Sequence, residues 1–438
     1  MSNWQTGSIR DYCIVGDGAH TSIKRQPSGV MYLTSKNLKN GGLDLSKIDY
    51  ISEEDYNKYF RDNSKALTKP NAGDVLFSII GTMGEPYLYT HQDYFGLSSS
   101  VSILRPDKSK ISPHYLYYWI QGYIFQKALY GVKGGVAQSY VSLEMIKSLP
   151  IHVPNLSDQG KISRILSTYN GLIENNTRRI KILEEMARSL YDEWFVRFRF
   201  PGHEQNKLVD SGLGLIPDSW SIQKLPTLCS KVIDGTHDSP KPVEEGFYMV
   251  TGRHIINGFI DFSQCYFISP EEHEKVMKRS KPEKGDIIFS NIGTLGSTVL
   301  VDQDFEFSIK NVALFKPLEP IYSSFLYLYF SSPDTLEVMS RKASGTSQRF
   351  FSLKFLRDLE LLVPSDKKLL TKFDEVAGSL LKQRSLLHKK NQNLRKTRDL
   401  LLPKLISGEI DVGSLEIESE GKTIAVEEVS DAREAIAV

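Results

Sequence analysis

The sequence predicts an α+β protein: two homologous globular modules separated by two long helices that pair as an antiparallel coiled coil. Three observations predict it. One module-length segment is written twice, a heptad helix pattern follows each copy, and short β-rich runs alternate with turn residues inside each copy.

In chain order, the first module covers residues 1–154 and the second covers 217–364. Trp4 answers to Trp220, Cys13 to Cys229, and the turn Asp17-Gly18-Ala19-His20 to Asp234-Gly235-Thr236-His237. The hairpin signals Asn40-Gly41 and Asn257-Gly258 also match. Gly73-Asp74-Val75-Leu76-Phe77-Ser78 with Gly81-Thr82-Met83-Gly84 matches Gly285-Asp286-Ile287-Ile288-Phe289-Ser290 with Gly293-Thr294-Leu295-Gly296. Gln138 with Ser142-Leu143 answers to Gln348 with Ser352-Leu353, and both copies end in a strand-like run, to Pro154 and Pro364. The order is preserved throughout, so the module is a duplication. The runs 114–129 and 324–343 read as single helices ahead of a glycine-containing loop.

Residues 155–202 read as the first long helix. Ile162, Tyr169, Asn176, Leu183 and Leu190 lie seven apart, and Leu166, Ile173, Ile180, Ala187 and Trp194 form a second such row. Side by side on a helix, the two rows make one apolar stripe. Ser157 and Asp158 are candidate caps, and Pro201-Gly202 the expected stop. At 1.5 Å per residue, such a rod spans about 60 Å and needs a partner. Residues 203–216 read as a linker. Residues 365–407 supply the partner, with Phe373, Leu380, Leu387, Leu394 and Leu401 every seventh position and Pro403 and Gly408 expected to close it. Asn176, Arg384 and Asn391 sit in or beside the seam, where polar residues set register at a cost in stability. Asn176→Leu is therefore expected to stabilise the pair while loosening its register. Residues 408–438 are acidic and expected to be disordered.

The net charge of +1 averages a distinctly basic body with that tail, which permits a polyanionic partner. Cys13, Cys229 and Cys265 have neither disulfide nor metal-ligand spacing. No apolar run approaches membrane-spanning length and no signal-peptide pattern opens the chain, so a cytoplasmic protein is expected. Phosphate-loop and zinc-protease motifs are missing, and so is the aromatic tetrapeptide that amino-methyltransferases use, so the chain is expected not to be an enzyme by itself. His20 and His237 lack a second ligand at metal spacing, which favours a turn-stabilising or surface role; no metal is expected. The loops 133–140 and 344–350 combine flexible glycines with an amide, hydroxyls, a cation and an aromatic. Such groups read adenine edges and hold phosphates, although a solvated polar loop would look the same. The basic face of the second helix (Lys382, Arg384, Lys389, Lys390, Arg395, Lys396, Arg398) is open to the same two readings.

With these residues in view, the chain resembles the specificity subunit of type I DNA restriction–modification systems. The carriers are the Asp-Gly-x-His turns, the paired Gly-Asp-[VI]-[LI]-Phe-Ser strands with Gly-Thr-x-Gly, and the 214–220 opening of the second copy. The helix end 190–195 and the run 398–410 complete them. The resemblance implies two target-recognition domains, each reading half of an asymmetric bipartite site in double-stranded DNA. It implies helices that set the spacer and dock two modification (methyltransferase) subunits, with restriction subunits joining. S-adenosylmethionine, ATP and Mg are then implied for those partners, and no cofactor for this chain. Candidate DNA contacts are His20, Lys36, Thr82, Lys133, Gln138, Ser139 and Tyr140 in the first module. In the second they are His237, Arg253, Asn291, Thr294, Lys310, Ser347, Gln348 and Arg349. Candidate helix-pairing and docking residues are Ile162, Tyr169, Ile173, Asn176, Ile180, Leu183, Leu190, Phe373, Leu380, Leu387, Leu394 and Leu401. The alternative is a non-enzymatic coiled-coil scaffold whose modules bind protein.

Overall fold

A computed structural model describes residues 4–62, 66–132, 140–212, 214–345 and 349–416. The chain divides into two compact units, one comprising residues up to Glu174 together with those from Gln392, the other Asn175–Asn391. The units cut across both long helices instead of falling at their ends.

The first unit holds the first module. Its main sheet has four antiparallel strands in the order Cys13–Asp17, Val101–Pro106, Val75–Ser78, Pro86–Leu88. A three-stranded sheet places Val30–Leu33 between Asp49–Ile51 and a parallel neighbour, Phe95–Leu97. Gln5–Ser8 pairs with Pro150–Val153, so the module closes where it began. The second unit repeats this plan: Cys229–Asp234, Ala313–Pro317, Ile287–Phe289, Thr298–Leu300; then Phe247–Val250 between Tyr266–Ile268 and the parallel Ser308–Ile309; and Trp220–Lys224 on Glu360–Pro364. Both Asn-Gly turns have positive φ at both residues (54° and 74°; 51° and 71°) and join two-residue hairpins, because that turn's twist matches the flanking strands. Each run expected as a single helix is broken in two: Pro113–Gln121 with Tyr123–Val132, and Ser323–Ser331 with Pro333–Arg341. At Gly122 a side chain would collide with Ile406, and at Pro333 the missing N–H ends the first helix.

The first long helix is Leu156–Tyr191 and begins before the expected caps. Asn155 caps it, its Oδ1 accepting from the Asp158 N–H at 2.9 Å. Buried Gln159 fastens this end to the module, accepting from the Ser112 N–H and donating to the Lys110 and Pro154 carbonyls. The helix does not run to Pro201. It gives way to a π-turn at Asp192–Val196, which buries the consecutive Trp194 and Phe195 against Phe373, at 5.7 and 4.7 Å between centroids. The expected linker also has structure, a hairpin of Leu208–Ser211 with Gly214–Pro217. The second long helix is Lys367–Ile406 and passes through Pro403, whose carbonyl still accepts from Ser407.

The two helices pair antiparallel within each unit. In the first, Arg398 donates to Asn170 at 2.9 Å. In the second, Asn176 meets Asn391, Arg384 meets Glu184 and Phe373 meets Tyr191. Ile162, Ile173, Phe373 and Leu387 are buried, while Tyr169, Asn176, Ile180, Leu183, Leu190, Leu380, Leu394 and Leu401 are half-buried. On the second helix another seven-spaced row, Leu370, Ala377, Arg384, Asn391, Arg398 and Leu405, lies beside the leucines and is buried except at half-buried Arg398.

This geometry reverses the expectation for Asn176→Leu. Asn176 Nδ2 donates to Asn391 Oδ1 at 2.9 Å, and Asn391 is 1% exposed and itself donates to Thr177. Leucine at 176 removes that donor inside the seam, so the substitution should destabilise by about 1–3 kcal/mol. Asn176→Leu combined with Asn391→Leu should recover most of the loss. Thermal melts check both; a raised melting temperature for the single variant contradicts this account.

Candidate functional site

In each module the recurring turns are drawn together by backbone bridges between residues far apart in sequence. Asp17 ends its strand, and Gly18 passes so close to Leu97 that a Cβ would lie 2.2 Å from its carbonyl oxygen; Gly235 meets the Ile309 carbonyl in the same way at 2.4 Å. Only glycine fits there. His20 and His237 follow, both exposed, each bonded to the carboxylate three residues back, His20 to Asp17 at 2.8 Å. Among the described residues no cluster of three or more His, Cys, Asp or Glu could hold a metal ion. The histidines therefore stand as exposed groups oriented by a buried acid.

In the first module, Ala19 pairs with Ser98, the Ser35 N–H donates to Ser100 Oγ at 2.9 Å, and the Ile79 N–H donates to the Ser100 carbonyl. Ile80 in turn bridges Tyr140. The structure thus brings His20, exposed Lys36, exposed Thr82 and exposed Tyr140 around the segment 98–100. Lys36 rides a 3₁₀ turn capped by Thr34 and Asn37, and Gly81 takes φ +77° in open space. The second module repeats the cluster. Thr236 pairs with Lys310, and His237 Nδ1 meets Asn311 Oδ1 at 2.9 Å. Gly252, next to exposed Arg253, abuts Ser290 and Thr294, and Ile292 bridges Phe350 beside exposed Arg349. Lys310 Nζ donates to Ser239 at 2.6 Å. His254 is a buried core residue whose pKa burial holds below its ordinary value, helped by the Arg253 charge.

Two placements differ from expectation. Asn291 is 5% exposed, and its amide donates to the Phe351 carbonyl at 3.0 Å. It anchors the loop and is withdrawn as a surface contact. The basic row of the second helix is partly committed: Arg384 is buried and Lys389 pairs with Asp302, while Lys382, Lys390, Arg395 and Lys396 are exposed. Lys133, Gln138, Ser139, Ser347 and Gln348 lie outside the described residues. Sequence reasoning missed Ser98, Ser100 and Asn311; the one available signal was their place just before the aligned strands at 101 and 313.

The two acid–histidine turns differ electrostatically. Burial raises the Asp17 carboxyl above its usual range, and His20 only partly offsets this. Burial also pushes Asp234 up, but hydrogen bonds from Arg279 and His237 outweigh it and leave the group lowered. The thiols of Cys13 and Cys229 are pushed up to about 12 by burial and are unreactive packing groups; Cys265 is only half-buried. Among the described residues no helix is long and apolar enough to cross a membrane.

Comparison with known proteins gives a consistent picture. The family model described as "Type I restriction modification DNA specificity domain" matches residues 1–185. The MjaIX type I restriction enzyme specificity subunit of Methanocaldococcus jannaschii is 24% identical over 94% of this chain and 95% of its own length. The sequence named MjaX, from the same organism, is 27% identical but covers 51% of this chain. The chain spans only about half, 52%, of that relative. The HindI specificity subunit of Haemophilus influenzae is 22% identical over 79% of this chain and 88% of its own. The crystal structure of the type I restriction–modification S subunit from M. genitalium shares the fold at TM-score 0.61 and 16% identity, covering 92% of this chain and 96% of that one.

The Asp234 geometry yields a pH prediction. In Arg279→Met, the Asp234 carboxyl should titrate higher than in the parent, towards the raised behaviour of Asp17, when followed by carboxyl-carbon NMR. The stability it lends above the ordinary carboxylate range, lost as pH falls through its depressed value, should then disappear. An unchanged titration contradicts the assignment of Arg279.

Proposed function

We propose that this chain is a member of the type I restriction–modification DNA specificity family and reads an asymmetric two-part site, one half with each module. The observation that carries the reading is the doubled cluster of loops. The same backbone scaffold gathers His20, Lys36, Thr82 and Tyr140 in one copy and His237, Arg253, Thr294, Lys310 and Arg349 in the other. One scaffold with diverged side chains is what two different half-sites require. Exposed cations hold phosphates, and hydroxyl, imidazole and amide groups address base edges.

The long helices carry the modules and set the spacer between half-sites. Their seam is occupied by pairing, so docking of two modification subunits falls to the outer faces. There Leu172, Ile182 and Met186 on the first helix and Leu386 and Leu400 on the second are exposed. An open groove lined by Ile182, Met186, Leu190 and Trp194, edged by Glu185, Glu193 and Arg199, continues that face. On this reading the chain performs no chemistry itself. Adenine methylation with S-adenosylmethionine belongs to the modification subunits, and Mg–ATP-driven translocation and cleavage to the restriction subunits.

Binding-site selection from a randomised duplex pool, with the full chain and its modification subunits, tests this. The expected product is a gapped site with unequal halves. Affinity should fall with salt at a log–log slope of about −0.9 per neutralised phosphate. Exchanging residues 1–154 for another family member's module should change one half only. Identical halves, or binding that is absent or indifferent to salt, contradicts the proposal and returns the chain to a protein-binding scaffold.

A further inference from the structure

Besides the apolar core that the second module shares with the helix pair, one buried cation ties the module to both helices at once. Arg384 is 4% exposed. Its Nε donates to Glu184 Oε1 of the opposite helix at 2.5 Å, and its two terminal nitrogens donate to the Gly258 and Asn257 carbonyls at 3.3 and 2.8 Å. Those carbonyls belong to the tip of the hairpin Ile255–Ile260. The guanidinium also lies 3.8 Å above the Phe259 ring, whose face is stacked at 3.7 Å by His388 one turn further along the helix. The planar fork of one arginine therefore touches three things at once: both helices of the pair and the module they carry. A sliding step of the helix pair would pull Glu184 away from it; a rotation of the module would pull the carbonyls away. Neither partner can move without leaving the buried guanidinium short of an acceptor.

The first module holds its matching turn differently. There Tyr117 donates to the Gly41 carbonyl at 2.7 Å, a tie between two elements of the module itself. Among the described residues the arginine strut is found in the second copy alone, and the symmetric needs of folding the module do not explain it.

We propose that Arg384 is a positioning residue for DNA-site selection: it locks the second module to the register of the helix pair and so fixes the spacer length at which the second half-site is accepted. The inference rests on the two-part reading above and deepens it. Lysine cannot replace it, because a single ammonium on a flexible stem can reach Glu184 or a carbonyl but cannot span all three acceptors in one plane.

The test uses the full chain with its modification subunits on duplexes carrying the selected half-sites at the preferred spacer and at one base pair more or less. In the parent, the wrong spacers should bind at least about tenfold more weakly; in Arg384→Met and Arg384→Lys this should shrink to under about threefold, with both half-site sequences unchanged. A purely structural role would weaken all spacers equally, and a purely ionic one would be rescued by lysine. Gly258→Ala gives a second route without touching either helix. At φ +71° its Cβ would lie 2.4 Å from the Arg384 terminal nitrogen and 2.8 Å from Tyr327 Oη, so it should displace the guanidinium and relax spacer choice in the same way. This variant decides the matter if Arg384→Met does not fold. A parent that selects a gapped site, with variants keeping its full spacer discrimination, overturns the role of Arg384 alone. A parent that selects no gapped site overturns the two-part reading and this inference with it.

Discussion

A long helix with a continuous apolar stripe cannot stand alone in water, and each of the two here covers its stripe with the other helix and, towards its ends, with the core of a module. That constraint shapes the rest of the chain. The partner of residues 156–191 lies at 367–406, so everything between must leave one helix and return to the other. A module whose first and last strands pair, as Trp220–Lys224 does with Glu360–Pro364, meets the requirement because its ends are adjacent. The first module closes in the same way. The fold of the duplicated unit and the pairing of the helices are therefore one solution to one problem.

The pairing is specified by polar contacts at heptad spacing. Asn170 with Arg398, Thr177 with Asn391 and Glu184 with Arg384 each step by seven residues, upward on one helix and downward on the other. An all-leucine seam would bury more apolar area, but it would accept a shift of one heptad with little penalty. Each polar rung is satisfied in one register only.

Much of this was legible in the sequence. The duplication, the turn Asp-Gly-x-His, the Asn-Gly hairpins and both helices follow from residue pattern, because each has a local cause: a glycine against a carbonyl, a left-handed turn, an apolar repeat. What was not legible had a non-local cause. The helix break at Gly122 depends on Ile406 packed against it, and the π-turn at Asp192–Val196 on the need to bury Trp194 and Phe195 together. Asn291 reads as a surface amide beside a polar turn, yet it faces Phe351, sixty residues later. Arg384 was visible as a polar interruption of the seam; its hold on Asn257 and Gly258 became visible only when the hairpin was placed. The convergence of Ser98, Ser100 and Asn311 with the predicted loops likewise comes from contacts between residues far apart in sequence, which no linear spacing reports.

The central claim is that each module addresses its own stretch of DNA, and the most direct measurement is site-specific photocrosslinking. A photoreactive amino acid would be placed at Thr82 or at Thr294, exposed turn residues at matching positions of the two copies, and the crosslinked nucleotides mapped on the bound duplex. The account predicts two separate tracts, one per module, with unlabelled spacer between them. Crosslinks from both positions to the same tract, or to protein and not DNA, would contradict it.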